Sequence, residues 1–166
     1  RMSGMGADIT ERKNRENALV FLTELGHEFS RALTTDDVIR AAGEKVAAFL
    51  GVGACCVMSI DEDRDEARMD YGWALERTPR LPGVVRISDF MTDELRGAAR
   101  TGSTVVVDNA QTDPRLNPRA YSALGIGSYL FQPVLRDGAW KHVVALCDSR
   151  PREWRAHEIA LCRELS

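Results

Sequence analysis

The stretch Ser128-Tyr129-Leu130-Phe131-Gln132-Pro133-Val134-Leu135-Arg136-Asp137-Gly138-Ala139-Trp140-Lys141-His142-Val143-Val144-Ala145-Leu146-Cys147 decides the fold class. Two runs rich in β-branched and aromatic residues flank Asp137-Gly138, a pair that tolerates the positive φ angles of a two-residue hairpin turn. Strands are therefore predicted over 128–135 and 139–147. Pro133 has no backbone donor, so its part of the first strand is expected at a bulge or an edge.

Working upstream, Val105-Val106-Val107 reads as a strand and Asp113-Pro114-Arg115 as a turn. Asn117, Pro118 and Gly125 supply the cap, first-turn proline and terminating glycine of a short helix. Another short helix opens at Thr92 with Asp93 and Glu94, is apolar at Leu95, Ala98 and Ala99, and closes at Gly102. Before it, residues 54–60 form an apolar run suited to a central strand. The acidic residues 61–66 turn the chain into a second strand through Met69, Tyr71 and Trp73. Pro79 and Pro82 mark a loop, and residues 84–87 suit a third short strand.

The beginning of the chain has the helical period. Leu19, Leu22, Leu25, Phe29 and Leu33 form one stripe over 11–33, with Asp8 or Thr10 as its cap. Residues 1–10, with Gly4 and Gly6, read as linker. Thr34 and Asp37 suggest a capping box for a second helix that buries Val38, Ile39, Ala42, Val46, Phe49 and Leu50 and stops at Gly51. A last helix starts near Trp154 and is still apolar at Ile159, Leu161 and Leu165, so it is expected to run past Ser166. This order predicts an α+β domain: an antiparallel-rich sheet with long helices on one face and short helices on the other.

A length of 166 residues is about one domain. Lys and Arg total 22 against 25 Asp and Glu, a net charge of −3, without the basic excess of a nucleic-acid binder. No apolar run approaches the roughly 18–20 residues of a membrane span, so no direct membrane contact is expected. The 4 cysteines are too few for a disulfide scaffold, and a cytoplasmic location is expected.

The search for reaction chemistry yields little. Gly51-Val52-Gly53 and Gly125-Ile126-Gly127 lack the third glycine of a dinucleotide loop and read as helix stops. His27-Glu28 and His157-Glu158 lack the second histidine of a zinc pair, and no metal site is expected. Asp61, Asp63 and Asp65 match alternate calcium-loop positions. Glu66 then stands where glycine is needed and Gly72 where glutamate is needed. Cys55 and Cys56 are adjacent in a strand, one on each face. A redox role would require one of them to approach Cys147 across the sheet. His142 lies in the sheet without a serine elbow, and no catalytic residue is assigned.

Asp8-Ile9-Thr10-Glu11-Arg12-Lys13 resembles the tail that closes PAS domains and leads into a signalling helix in bacterial sensors. From about Leu22 to Ser166 the chain is similar to a GAF domain. The likeness is carried by Val105-Val106-Val107-Asp108-Asn109-Ala110, Asp113-Pro114-Arg115, Ala123-Leu124-Gly125-Ile126-Gly127-Ser128 and Gln132-Pro133-Val134-Leu135-Arg136-Asp137-Gly138. Pro151-Arg152-Glu153-Trp154 with Glu158, Ile159 and Leu161 resembles the ending of sensor-kinase GAF domains, with Arg155 in place of the usual serine or threonine cap. The resemblance implies a GAF-like six-stranded antiparallel sheet, long terminal helices on one face that form a homodimer, and a small-molecule site under short helices on the other. It divides the chain into a PAS-tail linker (1–10), a signalling helix (11–33) and the GAF domain (34–166).

Cyclic nucleotides, bilins, haem and amino or keto acids are the family's ligands. This sequence has no counterpart of the N-K-F-D-E set that accompanies cyclic-nucleotide binding. Ser88-Asp89-Phe90 is similar to a phytochrome motif, with Met91 where proline is usual. Arg119-Ala120-Tyr121-Ser122 has neither the cysteine nor the histidine of a chromophore site, and Cys147-Asp148 stands where phytochromes carry histidines. Covalent bilin attachment is not expected, and the cofactor, if there is one, is not named by the sequence.

The candidate ligand contacts are Asp89, Phe90, Tyr121, Ser122, Tyr129 and Phe131, each of which also suits ordinary packing. The leading expectation is a regulatory module of a bacterial sensor histidine kinase that binds a small molecule or relays helix motion, and not an enzyme. One alternative is a free methionine sulfoxide reductase-like enzyme using Cys55, Cys56 and Cys147. Another is a ligand-free dimerisation spacer.

Overall fold

The computed structural model describes residues 2–29, 35–74 and 83–166. A first helix, α1, spans Met2–Phe29, so residues 2–10 of the stretch read as linker are helical and Asp8 and Thr10 lie inside the helix, not at its cap. Gly4 and Gly6 each weaken a helix by about 1 kcal/mol, but no proline interrupts the run and each added turn keeps its bonds. Leu33, Thr34, Pro79 and Pro82, for which a stripe, a cap and a loop were expected, fall outside the described residues.

The second helix, α2, spans Thr35–Leu50 and ends at Gly51, whose φ of +65° suits glycine. Val46 and Leu50 are buried as expected, Ala47 is buried beside them, and the side chains of Val38 and Ile39 fall outside the described residues. Phe49 is 40% exposed and stacks on Phe21 of α1 at 4.6 Å between ring centres. On α1 the buried face is Ala18 and Leu25 with Phe21 and Leu22 beside them. Leu19, expected on that stripe, points outward because it lies a third of a turn from Ala18.

Then the period drops to two. Strands β1 (Ala54–Asp61), β2 (Glu66–Ala74), β3 (Val84–Arg86), β4 (Val105–Val107), β5 (Ser128–Arg136) and β6 (Ala139–Asp148) form one six-stranded sheet in the order β3-β2-β1-β6-β5-β4. Every pairing in it is antiparallel. Asp137 and Gly138 take φ values of 53° and 74°, as the hairpin reading requires. β4 pairs with β5 through Tyr129–Phe131, so Pro133 lies where that flank has lost its neighbour, and the register shifts just beyond it between Val134 and Leu135. Helices α3 (Asp93–Arg100), α4 (Pro118–Ala123) and α5 (Ala156–Glu164) and a 3-10 turn at Ile87–Asp89 are the other elements among the described residues.

Alternation along the strands divides the interior in two. Leu130, Leu146 and Cys55 face α1, α2 and α5, together with Leu25, Val46, Leu161 and Cys162. Their neighbours Tyr129, Phe131, Ala145, Cys147 and Cys56 face the 3-10 turn, α3 and α4, meeting Ile87, Leu95 and Tyr121. Long helices thus cover one face and short helices the other. No described helix is long and apolar enough to cross a membrane.

Candidate functional site

The second of these interiors is not filled. Between the sheet and its short covering segments lies a cavity of about 100 Å³. Its floor is set by strand alternation: Cys56, Met58 and Ile60 on β1, Val143, Ala145 and Cys147 on β6, and Tyr129 and Phe131 on β5. Its roof is Ile87 from the 3-10 turn, Phe90 and Met91 just after that turn, Tyr121 from α4, and Leu124 and Ile126 beyond α4.

Local sequence fixes the roof. Thr92 caps α3 by accepting the N–H of Leu95. Asn117 caps α4 by accepting the N–H of Arg119 at 3.2 Å, and Gly125 closes it with φ +66°. Two segments are sewn together above the cavity. Asn117 donates its side-chain amide to the carbonyl of Asp89 at 3.0 Å and its backbone N–H to Phe90 at 3.3 Å. Met91 and Leu116 form an isolated antiparallel bridge.

Four of the six candidate residues come together here. Tyr121 stacks on Tyr129 at 5.1 Å, Tyr129 on Phe131 at 5.6 Å, and Phe90 meets Tyr121 edge-on at 5.3 Å. The Tyr121 hydroxyl donates to that of Tyr129 at 3.0 Å, and burial raises the pKa of both phenols, so they remain neutral. Asp89 and Ser122 are not brought to the cavity. Asp89 is exposed at the end of the 3-10 turn, and Ser122 is exposed on α4 with its hydroxyl donating to Gln111 at 2.8 Å.

The candidate set omitted Cys56, Met58, Met69, Trp140 and Cys147. Trp140 extends the aromatic row, stacking on Phe131 at 6.5 Å. The period-two spacing of 56, 58 and 60 carried a signal for the floor, but which face held a cavity depended on the roof.

All four cysteines are free and buried. Cys55 and Cys56 do face opposite sides, and Cys56 approaches Cys147 diagonally, since Ala54 pairs with Cys147 and Cys56 with Ala145. The hydrogen bond between their thiols and then burial push the Cys56 pKa up. Burial first, then the neighbouring Cys147, raises that of Cys55 to about 12. Such thiols are poor nucleophiles. Among the described residues no group of three or more His, Cys, Asp or Glu could hold a metal ion.

Residues 32–166 match the sequence profile of the GAF domain. The chain belongs to the GAF family, whose members are regulatory small-molecule-binding modules. This GAF domain has the fold of solved relatives at low identity. The GAF domain of a phosphoenolpyruvate-protein phosphotransferase from Coxiella burnetii is 15% identical, with a TM-score of 0.72 over 92% of this chain and 89% of that one. The phycoerythrobilin-bound GAF domain of a cyanobacterial phytochrome is 15% identical, with a TM-score of 0.71 over 89% of each chain. Free methionine-R-sulfoxide reductase from Neisseria meningitidis, solved with its substrate, is 14% identical, with a TM-score of 0.68 over 90% of this chain and 85% of that one. No curated protein matches the sequence.

Proposed function

We propose that this GAF domain is the regulatory module of a cytoplasmic bacterial sensor protein of the histidine-kinase type, and that a small molecule in the cavity sets its output. The observation that carries this reading is the relation of the cavity to the helices on the opposite face. Tyr129, Phe131, Ala145 and Cys147 line the cavity, while Leu130 and Leu146, between them in sequence, pack in the core formed with α1, α2 and α5. A single strand residue separates a ligand from a helix contact. A ligand shifts that packing to the extent that it binds one arrangement better than the other. The residues resembling a PAS tail, Asp8 to Lys13, lie within α1, which supports relay along that helix.

α1 turns Ala18 and Leu25 inward but leaves Ile9, Leu19 and Val20 at 67%, 64% and 58% exposure. A second copy of this chain covers that outer face in our reading. Sedimentation should show a dimer that Leu19→Glu with Val20→Glu converts to monomer.

The cavity reading is tested by native mass spectrometry of the purified protein. It should carry a small molecule that Ala145→Leu, which fills the floor, expels. Full-length Ala145→Leu protein should then lose its ligand-dependent kinase output. Protein without any bound molecule, and an output indifferent to that substitution, would support the spacer reading.

The Cys56–Cys147 approach favours one second reading, a cysteine-dependent sulfoxide reductase. In that chemistry two thiols become a disulfide, the sulfoxide becomes a thioether, and its oxygen leaves as water with two protons. The raised thiol pKa values weigh against it. Sulfoxide-dependent consumption of thiols, lost in Cys147→Ser, would support it over regulation.

A further inference from the structure

The cavity wall limits what it can accept. Among the described residues that line it, no side chain is charged and none carries an amide. The few strongly polar atoms are already occupied. The Tyr121 and Tyr129 hydroxyls bond to each other and the Trp140 indole N–H donates to the carbonyl of His142 at 3.1 Å, while the Cys56 and Cys147 thiols, near each other on the floor, are only weak hydrogen-bonding groups. A phosphate, a carboxylate or an ammonium group would lose its hydration here and gain no partner. Size restricts the guest as strongly. An apolar cavity of about 150 Å³ holds one benzene, and this one is about 100 Å³.

The remaining surface has its own preference. Tyr121, Tyr129, Phe131 and Trp140 stand nearly parallel in sequence of contact, with interplanar angles of 9°, 14° and 14°. Met58, Met69 and Met91 add thioethers that re-pack around a guest. We infer that the ligand is a small, uncharged, apolar molecule no larger than about one aromatic ring, held by ring and thioether contacts and not by hydrogen bonds. This rests on the reading of the cavity as the receptor. Nucleotides, tetrapyrroles and free amino acids are each too large for it or too charged.

Benzene, phenol and benzoate separate ring, hydroxyl and charge. Each is titrated into protein carrying 13C-methyl methionine, and the Met58, Met69 and Met91 signals are followed together with Trp140 in indole NMR. Benzene and phenol should shift these signals and saturate, with benzoate at least about a hundredfold weaker. Tyr129→Phe should leave both benzene and phenol affinity within about twofold, and Ala145→Leu should abolish binding. Benzoate or cyclic AMP moving the same methyls as tightly as benzene would overturn the inferred ligand class and leave the small-molecule reading standing. A tenfold loss of phenol affinity in Tyr129→Phe, with benzene unaffected, would overturn recognition without hydrogen bonds. If no probe moves the methyls and Ala145→Leu folds with a raised Tm, the cavity is a packing gap, and both the inference and the receptor reading fall.

Discussion

A carboxylate oxygen of Asp108 accepts the backbone N–H of Trp154 at 3.1 Å, across 46 residues of sequence, while the Trp154 indole N–H donates to the carbonyl of Val107 at 3.2 Å. The end of β4 is thereby fixed to the segment that enters α5. Arg152 reinforces the joint: its backbone N–H reaches the Asp108 carbonyl at 2.9 Å, its guanidinium pairs with buried Glu158, and it lies 4.6 Å from the Trp154 ring centre. Glu158 in turn accepts the N–H of Arg155 at 2.8 Å, which satisfies the helix start that lacks a serine or threonine. Asp108→Ala should lower stability by about 1–2 kcal/mol in urea denaturation. It should also speed amide exchange in α5 while β1 stays protected, and Asp108→Asn should recover most of the loss. Unchanged protection of α5 would show that Asp108 is not the tether.

In Gly125-Ile126-Gly127 the helix stop is Gly125, the expected terminating glycine, with φ +66°. A side chain at Gly127 is barred for another reason: a Cβ there would lie 2.6 Å from the carbonyl oxygen of Ser149 and 2.6 Å from the carbonyl carbon of Arg150. Both are backbone and cannot swing away. Gly127→Ala should cost about 2–3 kcal/mol, a fall of roughly 4–12 °C in Tm. Gly97→Ala is the contrast, since its Cβ would enter open space within α3. That change should stabilise by up to about 1 kcal/mol. Equal effects of the two in thermal melts would contradict the close approach at Gly127.

Asn117 serves both the cap of α4 and the seam to Asp89. Asn117→Ala should lose about 1–2 kcal/mol. Hydrogen exchange should rise together in residues 87–91 and 117–125, the two sides of the roof. Asn117→Ser restores the cap but not the amide donor, so it should protect α4 without protecting 87–91. Protection of both segments in Asn117→Ser would mean that the Asn117 side-chain amide adds no stability to the seam.

Much of the fold was legible because its signals are local. Asp137-Gly138 marks the hairpin, Thr92 and Asn117-Pro118 mark helix starts, and alternation places Cys55 and Cys56 on opposite faces. The site was legible in part. Tyr129 and Phe131 share a face by spacing alone, but Trp140 joins their row through the register of β5 and β6, which includes a shift at Val134 and Leu135. Asp89 was chosen for its resemblance to a motif, whereas it meets the roof through its backbone carbonyl, an atom that every residue type has. Gly127 is constrained by residues 149 and 150, a contact that no short-range pattern encodes.

Asp65, the third carboxylate of the failed calcium-loop pattern, instead ties the β1–β2 turn to the roof. It sits at φ +58°, a conformation aspartate tolerates. It accepts the Ser88 hydroxyl and, at 3.1 Å, the Ser88 N–H, and it pairs with Arg96 and, at 3.6 Å, with Arg86. The Ser88 hydroxyl bond first, then the backbone N–H and Arg96, hold its carboxyl below the ordinary carboxylate range despite opposing desolvation. A depressed folded-state pKa means that the unfolded chain takes up the proton first. The stabilisation is therefore complete above the unfolded value of about 3.9 and is lost as pH falls through the lower folded-state value. Asp65→Asn keeps the backbone preference and removes the charge, at an expected cost of about 1–2 kcal/mol at pH 7. Asp113, held low by Arg115, contributes a slope of the same sign to both proteins, so the difference between the two isolates Asp65. In urea denaturation stepped from pH 7 to pH 3, the stability gap should stay constant down to about pH 4 and then close. A gap that persists undiminished at pH 3 would mean that the charge of Asp65 does not hold the turn to the roof.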